Sequence, residues 1–251
     1  MAAHGEPAAR VVSLDYCADQ YVLELLPRAS ILAVSPDAEQ EFAYHRERAA
    51  GLPAVRPVAE DVLALRPTLV VRSYGGGPLA LAFFERAGIP VVQVPFADDI
   101  DGIRRAVTAV AGELGVPERG AAVVADMDAR LAAIDAGPGT RTALYLSAGG
   151  ATSGPGTLVH ALLVAAGYRN YESRPGWHSV PLERLVDAEP DVVVASFFGG
   201  AAERTAWWSA MRHPVARRHL SGRDTVLLPG ALTACGAWFA VDAVEELAEA
   251  R

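Results

Sequence analysis

Few side chains in this 251-residue chain have the types and spacing that catalysis needs. Ser147 lies in Tyr145-Leu146-Ser147-Ala148-Gly149, which lacks the first glycine of a Gly-x-Ser-x-Gly nucleophile elbow. The glycine-rich stretch 149–157 precedes a helical pattern and could cradle a phosphate on backbone N–H groups. It has no Gly-Lys-Ser/Thr, and all 22 basic residues are Arg. That removes the P-loop lysine together with Schiff-base and lysine general-base chemistry. Tyr74-Gly75-Gly76-Gly77 does not form the Gly-x-Gly-x-x-Gly dinucleotide turn. Cys17 and Cys235 fit no zinc spacing, and three readings of them stay open. They could be buried thiols, a disulfide in an oxidising compartment, or a thiolate facing the metal of a ligand. Among the histidines, only His45 and His178 fall in loops expected near a site. His160 reads as structural, and His213 and His219 read as surface or capping residues.

Composition narrows the partners. The net charge is −8 and the arginines are scattered, so the basic footprint of a nucleic-acid binder is missing. Half the residues are apolar, enough for a sizeable core, yet no apolar run approaches the ~20 residues that span a bilayer. The opening MAAHGEPAAR lacks the basic start and apolar stretch of a secretory signal. It reads as a cytosolic start, or as a mature secreted chain whose leader has been replaced.

The elements that must position any site are written twice. Residues 60–77 (EDVLALRPTLVVRSYGGG) match residues 183–200 (ERLVDAEPDVVVASFFGG). Each copy opens on a Glu (Glu60, Glu183), reaches a Pro at the same offset (Pro67, Pro190) and enters a β-branched strand. Each then breaks at Ser, aromatic, any residue, Gly, Gly. Around these copies, short strands at 11–14, 31–34, 69–72, 91–94, 143–146 and 225–228 alternate with helical patterns. That alternation is the sign of parallel sheets with helices on their faces. Residues 35–50 read as a polar loop, and the last helix is expected from about Val241. Between the halves, apolar residues recur at helical spacing over 100–114 and again over 124–134. As one helix, 118–135 would run roughly 27 Å. The fold class is therefore α/β: two Rossmann-like βα lobes with mainly parallel sheets, joined by a single long connecting helix. The expected boundaries are 10–115, 116–137 and 138–251, with a groove between the lobes.

Laid out in this order, the chain resembles the periplasmic substrate-binding proteins of ABC importers for vitamin B12 and ferric siderophores. The resemblance rests on RVVSL before a helix, EDVLALRPTLVV, GPGTLVHALLVAAGY, LERLVDAEPDVVV, and LLPG…W before a last helix. It covers residue 10 to the end of the chain. It implies a periplasmic monomer with no catalytic residues and no cofactor of its own. Such a protein captures a metal chelate, a corrinoid or a ferric siderophore, and delivers it to a membrane permease. A haem or free-metal receptor of the same fold, or an αβ enzyme acting at the cleft, is the alternative.

Open αβ sheets place ligands beyond the carboxyl ends of their strands. Those ends supply Asp15, Tyr16, Cys17, Ser73 and Tyr74 in the first half, and Ser153, Phe197, Phe198, Cys235 and Trp238 in the second. Two further loops bring Tyr44-His45 and Trp177-His178. Aromatic rings in this number suit a broad, partly flat ligand. Trp207 and Trp208 cannot share one helix face, so one of them is expected in the core. In the resembling family one Glu on each lobe docks onto Arg residues of the permease, and the matching positions are Glu60 and Glu183. A carboxylate there also favours the helix dipole, which is the plain structural alternative.

Overall fold

The structure is a computed structural model, and it describes residues 9–137, 139–147, 149–197 and 224–251. Phe198, Trp207, Trp208, His213 and His219 lie outside the described residues. The chain divides into two compact units. The first is Met1–Phe96 with Ala106–Ala122, and the second is Ala97–Arg105 with Val123–Arg251.

The first unit begins with β1 (Val11–Ser13), α1 (Tyr16–Leu25) and β2 (Ile31–Ala33). It continues with α2 (Arg46–Ala49), α3 (Ala59–Ala64), β3 (Leu69–Arg72), α4 (Gly77–Arg86) and β4 (Val91–Gln93). All strand pairs are parallel, in the order β2-β1-β3-β4. β-Branched Val and Ile fill these strands because both faces of a helix-covered parallel sheet are buried. Val12, Leu14, Val62, Val70 and Phe84 pack one face into a core of almost fully buried side chains. Asp15 caps α1 at its start, and the helix ends at Leu26, where the following Pro27 forces extended backbone. Pro78 sits in the first turn of α4, where a missing N–H does no harm.

Two helices follow, α5 (Ile100–Glu113) and α6 (Pro117–Ala133), and each contributes residues to both units. The expected helix 118–135 is thus displaced by one residue at its start, with Pro117 in its first turn, and stops two residues earlier.

The second unit holds β5 (Thr142–Ser147), β6 (Ala151–Ser153), α7 (Leu158–Ala165), β7 (Arg169–Asn170) and β8 (Trp177–Ser179). Then come α8 (Arg184–Asp187), β9 (Val192–Phe197), β10 (Thr225–Pro229), α9 (Gly230–Thr233) and α10 (Ala240–Glu249). Its parallel sheet runs β10-β9-β5-β7. Taking the four strands of each sheet in chain order, both sheets read second, first, third, fourth. The repeated sequence falls on equivalent strands: Leu69 of β3 pairs with Val11, and Val192 of β9 pairs with Ala143. The duplication read from the sequence is therefore a duplication of topology. The second unit departs from the first by a two-stranded antiparallel hairpin, β6 with β8. Among the described residues, no helix is long and apolar enough to cross a membrane.

Candidate functional site

In the first unit the carboxyl ends of β1 and β3 are tied together by one side chain. Asp15 is 3 % exposed. Its Oδ1 accepts the Ala18 N–H at 2.9 Å, which caps α1. Its Oδ2 accepts three successive backbone N–H groups, from Ser73 (2.7 Å), Tyr74 (3.0 Å) and Gly75 (2.8 Å). Residue 75 must be glycine for this approach, since a Cβ there would lie 2.4 Å from the Leu14 carbonyl oxygen. Asp15 thus works as the anchor of the loop, with its oxygens turned inward.

The anchored loop presents Tyr74, which is 54 % exposed. Tyr16, the first residue of α1, meets the Tyr74 ring edge-on at 5.8 Å and the Phe42 ring at 4.9 Å. Burial, then the nearby Asp15 charge, raises the Tyr16 phenol, while a hydrogen bond with Tyr74 opposes the rise. Burial also raises Tyr74, helped by Tyr16 and Asp15. Both phenols are neutral at ordinary pH, so the surface they form is one of apolar faces with hydroxyl tips. Phe42 was not among the sequence candidates. Its signal was its place three residues before His45, in a loop tied to α1 by bonds no local pattern reveals. That loop is held where the His45 N–H meets Gln20 Oε1 at 2.6 Å and His45 Nε2 meets Glu24 Oε2 at 3.0 Å. Burial alone would raise Glu24, but His45 and Arg48 outweigh it and lower the carboxyl. The Tyr44 ring lies 5.0 Å from that of His45.

Below this surface sits a second buried carboxylate. Asp19 Oδ2 accepts the Ser35 hydroxyl at 2.5 Å and Oδ1 accepts the Ser35 N–H at 3.0 Å. Burial pushes Asp19 up to about 6, against the hydrogen bonds from Ser35, which favour the charged form.

In the second unit the hairpin carries the exposed ring. Ser153, Thr152 and Ala151 pair with Trp177, His178 and Ser179. Trp177 is 54 % exposed and meets the buried Tyr145 ring edge-on at 5.9 Å. Tyr145 was also missed, because its position mid-strand in an apolar run reads as core. Burial raises its phenol, opposed by hydrogen bonds with Ser196 and Thr233, whose hydroxyls meet at 2.7 Å. His178 Nε2 donates to the Pro175 carbonyl at 2.8 Å. The Oγ atoms of Thr152 and Ser153 are buried without a hydrogen-bond partner among the described residues.

Glu172 closes the hairpin. Its side chain is fully buried and accepts from Arg174 through N (2.9 Å), Nε (3.2 Å) and Nη2 (2.9 Å), with Arg184 at 3.5 Å. These bonds, Arg174 foremost, hold its carboxyl down to about 2. The two sides of the turn touch so closely that a Cβ at Gly154 would lie 1.8 Å from the Arg174 carbonyl oxygen.

Of the other candidates, Cys235 and Trp238 are 6 % and 9 % exposed, with Trp238 packed on Phe239 at 5.4 Å. Cys17 and Cys235 are both disulfide-bonded, which settles two of the three open readings against the thiol forms. Phe197 ends β9, paired with Pro229. Glu60 and Glu183 are exposed, and Glu183, at the N-cap of α8, makes no side-chain capping bond.

The sequence profile described as "Periplasmic binding protein" matches residues 11–197, which includes both copies of the repeat up to the end of β9. The chain belongs to the periplasmic binding protein family. Among curated relatives of this periplasmic binding protein, the cobalamin-binding protein of Halobacterium salinarum is 32% identical over 212 residues. That match covers 78% of this chain and 56% of the relative, so the chain spans just over half of the relative's length. Solved structures share the fold. A periplasmic heme binding protein from Pseudomonas aeruginosa superposes with a TM-score of 0.76 at 25% identity, over 96% of this chain and 92% of that one. A periplasmic vitamin B12 binding protein of Vibrio cholerae gives 0.63 at 20% identity, over 97% and 96%.

Proposed function

We propose that this periplasmic binding protein is the substrate-binding component of an ABC importer and captures a metal chelate, a corrinoid or a ferric siderophore, without turning it over. The observation that carries the reading is the pair of half-exposed rings, Tyr74 and Trp177. Each is set on a second aromatic ring; Tyr74 lies on a loop fixed by buried Asp15, and Trp177 opens β8 just after the segment that buried Glu172 ties. Rigid rings at strand ends offer large contact area with few rotors to freeze. The curated relatives described as cobalamin-binding favour a corrinoid. Several fold neighbours are described as heme-binding, which makes haem the second reading. A periplasmic location and the lobe boundaries 10–115 and 138–251, with 116–137 as connector, belong to the same proposal.

Titration with cyanocobalamin, a ferric hydroxamate and haemin separates these readings. One of them is expected to quench tryptophan fluorescence saturably at one equivalent. Trp177→Ala and Tyr74→Ala are each expected to weaken that ligand by about 1–3 kcal/mol. Saturation by none of the three, combined with turnover of any substrate, would overturn the proposal.

Glu60 and Glu183 are proposed to dock the permease, since each is exposed and occupies the same place in its copy of the repeat. Reversing both charges is expected to abolish ligand-stimulated ATPase of the cognate importer and to leave chelate affinity unchanged. Normal transport by the double variant would remove the docking role.

A further inference from the structure

In the first unit, a cavity of about 400 Å³ opens where the end of α1, the start of β2, α2 and the first turn of α6 come together. The volume is that of an ordinary small-ligand site. Its floor is apolar, made by Leu23, Leu26 and Ile31, each less than a tenth exposed. Its walls carry three guanidinium groups, Arg28, Arg48 and Arg119, and a single carboxylate, Glu47. In a chain with net charge −8, this is a local reversal of sign.

The three arginines are not equally engaged. Arg48 is bridged to Glu24, which lies behind the wall. Arg119 is half exposed and reaches that same carboxylate only at 3.9 Å. Arg28 has no carboxylate partner among the described residues. Its Nη1 and Nη2 donate to the backbone carbonyls of Arg48 and Ala50, both at 2.7 Å. Two of its five N–H donors are used, and the fork is already held in one orientation. A charged, pre-oriented fork with unused donors matches the oxygens of a phosphate or carboxylate. The floor beside it suits an apolar tail.

We propose that this cavity binds an anionic amphiphile, a phosphate monoester or carboxylate joined to an apolar chain, with Arg28 and Arg119 on the head group and Leu23, Leu26 and Ile31 under the tail. None of the residues lining this cavity carries the exposed rings, and the proposal stands independently of which chelate those rings take.

Calorimetric titration of the whole chain with octyl phosphate tests it, beside inorganic phosphate and octyltrimethylammonium. Octyl phosphate is expected to bind at one site, inorganic phosphate about tenfold or more weakly, and the cation not at all. Arg119→Glu is expected to weaken octyl phosphate by about tenfold or more, with an unchanged melting temperature. Should that variant melt early, Arg119→Gln supplies the same comparison. Equal binding of the cation, unchanged affinity in a folded Arg119 variant, or no binding of octyl phosphate would each overturn the site. Co-sedimentation with phosphatidylglycerol vesicles identifies the source of the head group. Arg119-dependent sedimentation points to membrane lipid, and its absence beside octyl phosphate binding points to a soluble ester.

Discussion

The two sheets share one strand order, yet the segments beside their exposed rings are tied by buried carboxylates with different partners. In the first unit, Asp15 and Asp19 are held by backbone N–H groups and a serine hydroxyl. In the second, Glu172 is held by the guanidinium groups of Arg174 and Arg184. For Asp19, burial outweighs the hydrogen bonds from Ser35 and raises the carboxyl. Glu172, bonded to Arg174, is held low and keeps its charge into strong acid. Within one backbone plan, the buried carboxylates Asp19 and Glu172 are therefore shifted in opposite directions.

The largest expected effect is at Asp15. Asp15→Ala strands three loop N–H groups and uncaps α1, and is expected to lower the stability of the first unit by about 3–5 kcal/mol in urea unfolding. A loss below about 1 kcal/mol would mean that the loop is held by something else.

Asp19 comes next, and its sign is worked from its pKa of about 6, above the ordinary 3.8. The folded state binds the proton more tightly than the unfolded chain. The stabilisation is therefore fully present below the ordinary value and is lost as pH rises through about 6. The difference amounts to at most about 3 kcal/mol. Asp19→Asn is expected to remove this slope, so unfolding free energies of variant and parent measured from acid to neutral pH should diverge. Parallel curves would show that Asp19 carries no such proton.

Glu172 gives the smallest and opposite effect. Its carboxyl is held at about 2, below the ordinary 4.5, so its stabilisation is present above the ordinary value and lost as pH falls toward 2. Arg174 and Arg184 are about half exposed, 56% and 45%, which screens the pair and reduces the expected cost of Glu172→Gln to about 1–2 kcal/mol at neutral pH. The gap between parent and variant should close in strong acid. A gap that stays constant with pH would assign Glu172 a packing role alone.

Much of this plan was legible in the sequence because it is periodic. β-Branched runs gave the parallel strands, helical spacing gave α5 and α6 to within two residues, and the paired Glu and Pro positions gave the repeat. The hairpin was not legible. Ala151–Ser153 is three residues long, has one β-branched side chain and sits among glycines, so its pairing with Trp177–Ser179 is set by tertiary context. The four-residue α2 was hidden in a polar stretch for the same reason: too short for a period. Within the site, Tyr74 and Trp177 stood out as aromatics beside glycine turns. The role of Asp15 did not, because its partners lie nearly sixty residues away and backbone N–H groups leave no trace in a sequence. Glu172 was not singled out in the sequence, although Arg174 two residues on was the available clue.

The three-amide clasp on one Asp15 oxygen also sets a clock. Ser73, Tyr74 and Gly75 lie outside any strand or helix, where amide hydrogens normally exchange with solvent at nearly the rate of an open peptide. Here they share one acceptor and are released by one event, the departure of that carboxylate. Their deuterium uptake should therefore be slow and should rise together in a single step. Between such openings the backbone that carries Tyr74 stays in place, and a ligand arriving there meets a loop that is already made.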